Sequence, residues 1–75
     1  MKSKTTLRRE EMLALEWRLY KEKDTLTKDE KHLINLRIME LNIQPYSRAW
    51  RAGYISTLQE AQRLLKAKIE EVQHG

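Results

Sequence analysis

Residues 53–60 read GYISTLQE, and this stretch predicts how the C-terminal half of the chain folds. Glycine readily adopts the left-handed conformation that ends a helix, so Gly53 is predicted to end one. Ser56 and Thr57 each stand three residues before a glutamine or a glutamate, which is the capping-box spacing that begins a helix. A helix end followed at once by a helix start predicts two helices joined by a short turn.

The helix predicted after this turn, which runs to about Gln73, carries a narrow apolar stripe. The stripe consists of Leu58, Ala61, Leu65, Ile69 and Val72. A polar arc lies beside it and consists of Gln59, Gln62, Arg63 and Lys66. A stripe this narrow is typical of a helix that packs on one other helix, either within the domain or in a second copy of the chain. The pattern therefore leaves a homodimer open.

The residues before the turn predict one short helix and two longer ones. Pro45 stops a preceding helix and suits the first position of the next, so a short helix is predicted from there to Gly53. Thr27 begins a helix by the capping-box signal, and this helix runs to about Leu41. Residues 6–23 lack glycine and proline and predict the first helix. The predicted fold is an all-α bundle of three longer helices plus one short helix, helix-turn-helix-like in its C-terminal half.

Length and composition predict one domain and a charged surface. The 75 residues are 35% charged and 40% hydrophobic and contain no cysteine, so we expect a single domain over residues 6–73. Residues 1–5 are expected to form a flexible basic N-terminus, and residues 74–75 to fray. No stretch has the length and apolarity of a signal peptide or a membrane span, so we expect a cytoplasmic protein without a membrane partner. The net charge of +4 suits an acidic partner, whether protein or nucleic acid.

The chain offers few groups for catalysis. Its only histidines are His32, near a predicted helix start, and His74, near the chain end. Adjacent glutamates diverge by about 100° on a helix, and no glycine-rich phosphate loop is present. Arg37 and Glu40 stand three residues apart, a spacing suited to an ion pair along one helix face. We therefore expect no enzyme, no catalytic residue, no metal site and no cofactor.

Two groups of residues are candidates for protein contact. The first helix carries two apolar seams, Met12, Leu15 and Leu19 on one and Leu13, Trp17 and Tyr20 on the other. One seam would pack in the domain while the second contacts a partner, although both are alternatively core. The second group is Tyr46, Arg48, Trp50 and Arg51. Aromatic residues and arginine are enriched at binding hot spots, but Trp50 alternatively fills the core.

Three functions remain open from the sequence. The favoured one is a small adaptor, inhibitor or regulatory subunit, of a bacterial or bacteriophage kind, that binds a larger protein through helix faces. The first alternative is a helix-turn-helix transcriptional regulator, whose recognition helix enters the DNA major groove. Its nucleic-acid contacts would come from Gln59, Gln62, Arg63 and Lys66, which could read base edges or bind phosphates, and from Arg8 and Arg9 on the DNA backbone. The second alternative is a structural assembly component.

Overall fold

The computed structural model describes residues 1–46 and 48–74, except the side chains of residues 49–51 and 74, and within this part the fold consists of three α-helices. These are α1 (Lys4–Lys21), α2 (Lys28–Ile43) and α3 (Arg48–His74). No strand is found in the same residues. The all-α prediction is confirmed. None of these helices combines the length and the apolarity needed to cross a membrane.

Helix α2 begins as its sequence predicts. The Thr27 hydroxyl accepts a hydrogen bond from the backbone N–H of Glu30 at 3.1 Å, and the Glu30 carboxylate accepts one from the backbone N–H of Thr27 at 2.9 Å. Two donors that the helix cannot pair internally are thereby satisfied. Hydrogen bonding of the Glu30 carboxylate to Thr27, first to its backbone N–H and then to its side chain, holds the pKa of Glu30 below its ordinary value.

The turn predicted at Gly53 is wrong, because α3 continues through it without interruption. Gly53 has no positive φ, so it does not adopt the helix-ending conformation. The Thr57 hydroxyl, predicted to cap a new helix, instead donates a hydrogen bond to the carbonyl of Gly53 one turn earlier, at 3.0 Å. A serine or threonine near a glycine therefore has a helical alternative to capping. The short helix and the longer helix are one element, and the helix-turn-helix layout lacks its turn.

We predict that Gly53→Ala stabilises the protein. A Cβ added at this position meets no atom within 4 Å, and alanine is better than glycine in a helix interior by about 0.5–1 kcal/mol. Urea unfolding followed by circular dichroism measures the change in the free energy of unfolding. The matched control is Ala52→Gly at the neighbouring exposed position, which should destabilise by a similar amount. A destabilised Gly53→Ala protein would mean that Gly53 does end a helix.

Helix α2 lies between the other two helices and runs antiparallel to both. Gln62 of α3 contacts Glu40 near the end of α2. Lys68, further along α3, pairs with Asp29 near the start of α2. No Cα atom of α1 lies within 8 Å of one of α3 among the described residues. The buried apolar side chains are Leu26, Ile34, Leu36, Leu41 and Leu58. The core is therefore built on α2, and α1 contributes no buried residue to it.

The apolar stripe of α3 packs on α2 along most of its length. Leu58 is buried, the three stripe residues that follow are half-buried, and Val72 at the end is exposed. Ile69 and Val72 border the capped start of α2 at Thr27. The stripe therefore packs within the domain, which was one of the two alternatives that its width allowed.

Candidate protein-binding surface

The second apolar seam of α1 faces solvent. Its three side chains are well exposed, by 59% for Leu13, 59% for Trp17 and 70% for Tyr20. The first seam is half-buried against α2 and consists of Met12, Leu15 and Leu19. At 100° per residue the two seams point roughly 130° apart, so a helix packed on a single neighbour buries only one of them. We call Leu13, Trp17 and Tyr20 the aromatic seam.

The two aromatic rings of the seam are arranged before any partner binds. The rings of Trp17 and Tyr20 stack with their centroids 5.6 Å apart and their planes inclined by 25°. The Lys21 ammonium lies 5.7 Å from the centroid of the Trp17 ring, within the range of a cation–π interaction. Aromatic side chains have few rotatable bonds and lose little conformational entropy on binding. The seam is thus an exposed apolar surface whose two aromatic rings are already ordered against each other.

Helix α1 is weakly held by the rest of the fold. It has 18 residues, and none of them is buried. In proteins, most of the stability of a helix comes from the tertiary packing of its apolar face. Besides the half-buried first seam, the main attachment is an ion pair between Glu11 and Arg37 of α2, with the closest N–O distance 2.7 Å. Covering the aromatic seam would supply α1 with the burial that the domain does not provide.

A cleft of about 250 Å³ adjoins the aromatic seam at the N-terminal half of α1. Leu13 lies in its wall, opposite Leu41 and Pro45 at the end of α2. Arg8 and Arg9, predicted to contact nucleic acid, also line this cleft. The structure therefore brings these two arginines next to Leu13, so that the apolar surface and a positive charge adjoin.

A polar network around Glu40 joins all three helices. Glu40 is only 3% exposed. Its carboxylate accepts hydrogen bonds from the amides of Gln59 at 3.1 Å and Gln62 at 2.8 Å, and pairs with Arg37 at 3.0 Å. Arg37 also donates two hydrogen bonds to Glu11 of α1, and these raise the pKa of the guanidinium. The predicted pairing of Arg37 with Glu40 is confirmed, and the network makes it part of the link between helices.

The polar arc of α3 is thereby divided between two residues that bond to Glu40 and two that do not. The amides of the exposed Gln59 and the half-buried Gln62 donate to the buried carboxylate of Glu40. Arg63 is exposed and pairs with Glu60 on its own helix. Lys66 is exposed. Two of the four predicted base-reading side chains are thus engaged within the domain.

The other predicted contact patch is described only in part. Tyr46, just before α3, is 62% exposed, and Arg48 at the start of α3 is also exposed. The side chains of Trp50 and Arg51 lie outside the described residues. Within the residues that are described, no group of three or more potential ligand side chains is placed to hold a metal ion.

We predict that the Glu40 network weakens in acid. Burial alone would raise the pKa of Glu40, but hydrogen bonds from Gln62, Arg37 and Gln59 outweigh it and hold the pKa below its ordinary value of 4.5. The stabilisation from ionised Glu40 is therefore complete above that value and is lost as the pH falls through the lower folded-state pKa. Urea unfolding of the wild type and of Glu40→Gln, from neutral pH to below 4, measures this. The stability difference between them should shrink in acid, and a constant difference would contradict the assignment.

No known protein family, curated protein sequence or solved structure matches the chain.

Proposed function

We propose that the protein is a non-enzymatic interaction protein, an adaptor, inhibitor or regulatory subunit, that binds a larger protein through the aromatic seam of α1. The observation that carries the proposal is the exposure of Leu13, Trp17 and Tyr20 on a helix that has no buried residue. Contiguous exposed apolar surface of this kind is typical of protein interaction sites. Tryptophan and tyrosine are also among the residues most enriched at binding hot spots.

The spacing of the seam supports a particular mode of binding. Leu13, Trp17 and Tyr20 stand at positions i, i+4 and i+7 of one helix. This is the anchor pattern of an amphipathic helix that lies in an apolar groove of its partner. The expected partner surface is therefore a groove with three apolar pockets, and α1 is the inserted element.

The DNA-binding alternative draws less support from the geometry. The residues expected to form its turn are helical, and Gln59 and Gln62 donate their amides to Glu40. A homodimer through the α3 stripe likewise has to compete with α2, against which Leu58 is buried. No observation specifically favours a structural assembly component.

Comparative affinity capture from a native lysate tests the proposed function. The immobilised proteins are the wild type, Leu13→Ala in the seam, and Leu64→Ala on α3. Leu13 and Leu64 are exposed by 59% and 57%, so the two variants remove the same side chain from similar environments. We expect a retained protein that survives nuclease treatment, is lost with Leu13→Ala and is kept with Leu64→Ala. Equal retention by both variants, or loss after nuclease, would contradict the proposal.

A further inference from the structure

A groove lies between α1 and α3, over the middle of α2. Its volume is about 440 Å³. Leu15 from α1 and Leu33 from α2 line it and are half-buried, and Ile34 is buried beneath it. Since α1 and α3 both pack on α2 without approaching each other, the groove separates two helices that share a neighbour. It lies on the α3 side of α1, away from the aromatic seam.

The rim of this groove is positively charged. Arg18 on α1 and Arg63 and Lys66 on α3 border it, and among the described residues no carboxylate lines it. Arg37, Gln59 and Gln62 line it as well, but these three side chains are engaged with Glu40. Arg18 pairs with Glu22 at the end of α1 and Arg63 with Glu60 on α3, with both partners of each pair about half exposed or more. Arg18 also has an electrostatic interaction with Glu30 of α2. Exposed pairs of this kind contribute little, so a ligand carboxylate competes with them readily. We call the groove bordered by Arg18, Arg63 and Lys66 the basic groove.

We propose that the basic groove binds an acidic amphipathic helix of a partner protein, lying over α2 between α1 and α3. Its apolar side chains would cover Leu15 and Leu33, and its carboxylates would meet Arg18, Arg63 and Lys66. A helix in this position completes a four-helix arrangement, in which each helix buries its apolar face against its neighbours. This surface is separate from the aromatic seam, so the inference goes beyond the proposed function and makes the protein bivalent.

The chemistry of the groove favours this occupant over two others. The apolar floor suits leucine or isoleucine side chains and offers nothing to a nucleic-acid backbone. The side chains of Arg37, Gln59 and Gln62, which also line the groove, are already engaged with Glu40. A second copy of this chain carries the same net charge of +4 and is repelled by a positive rim. An acidic amphipathic helix complements both the apolar floor and the positively charged rim of the groove.

Selection from a displayed library of 18-residue helical peptides tests the inference, with the intact protein as bait. We expect enriched peptides with apolar residues three and four positions apart, flanked by aspartate and glutamate. Backbone amide NMR shifts with the best peptide should centre on Leu15, Leu33 and Lys66. Enrichment without acidic residues, or shifts centred on the aromatic seam, would overturn the inference. Displacement of the peptide by duplex DNA at physiological salt would overturn it as well.

Three variants separate this surface from the aromatic seam. Lys66→Glu should weaken binding of the selected peptide by about tenfold or more, because like charges placed together across an interface are strongly unfavourable. Lys23→Glu makes the same charge change at an exposed position in the α1–α2 loop, and should change affinity by less than about twofold. Trp17→Ala should leave peptide binding intact, even if it abolishes capture of the seam's partner. Equal affinities for Lys66→Glu and Lys23→Glu would show that the groove is not the peptide site.

Discussion

Replacement of Glu40 by alanine should lower the free energy of unfolding by about 3 kcal/mol, because it removes a buried carboxylate that pairs with the half-buried Arg37 and accepts from two glutamine amides. Glu40 is 3% exposed and binds Arg37, Gln59 and Gln62. A domain of this size has a net stability on the order of only 5 kcal/mol. The variant should therefore lose most of its free energy of unfolding, which urea unfolding followed by circular dichroism measures directly.

Two further variants identify the cause of that loss. Glu70→Ala removes an exposed carboxylate from α3 and should change stability by no more than about 0.5 kcal/mol. Glu40→Gln keeps an oxygen acceptor for Gln62 but removes the charge that faces Arg37, so its loss should be smaller than that of Glu40→Ala. If Glu40→Ala costs no more than Glu70→Ala, the network does not stabilise the packing of the helices.

The features that the sequence predicted correctly depend on residues within one or two helical turns. The capping box of Thr27 and Glu30 needs only a three-residue spacing. The two seams of α1 follow from helical periodicity alone, and so does the pairing of Arg37 with Glu40. Periodicity could not decide which seam faces solvent, since this depends on the number of helices that pack against α1.

The feature that failed, the turn at Gly53, depends on tertiary structure. Glycine and the hydroxyls after it are compatible with both a helix end and a continuing helix, at a difference of about 1 kcal/mol. In the structure one uninterrupted α3 buries Leu58 against α2, and burial of a leucine is worth about 1.5–3 kcal/mol. Packing is therefore large enough to override the local preference.

The two glutamine partners of Glu40, by contrast with Arg37, could not be predicted from local spacing. Gln59 and Gln62 stand 19 and 22 residues away from it along the chain. One signal did exist, because Glu40 interrupts the apolar surface of α2 and a buried carboxylate requires hydrogen-bond donors. Glutamines that border the stripe of a neighbouring helix are suitable donors. The sequence pattern could identify these glutamines as candidate donors, but only the packing of α3 on α2 shows that they bond to Glu40.

Trp17→Ala should reduce affinity for the seam's protein partner by at least about 2 kcal/mol, or roughly 30-fold, as expected for a tryptophan at a binding hot spot. The folded protein should hardly change, with a stability difference below about 0.5 kcal/mol, because the side chain is 59% exposed and its ring interactions are with the neighbouring α1 residues Tyr20 and Lys21. Calorimetric titration with the captured partner gives the affinity. Urea unfolding of the same samples gives the stability.

The two measurements together distinguish a contact surface from a core residue. A tryptophan in the core costs about 3–5 kcal/mol of stability when replaced by alanine, so a loss of that size would place Trp17 in the core. Unchanged stability with unchanged affinity would remove the aromatic seam as the binding surface. Tyr54→Ala serves as the aromatic control, since Tyr54 lies on α3 and is 48% exposed. Only loss of affinity with Trp17→Ala, retained stability, and full affinity with Tyr54→Ala together support partner binding through α1.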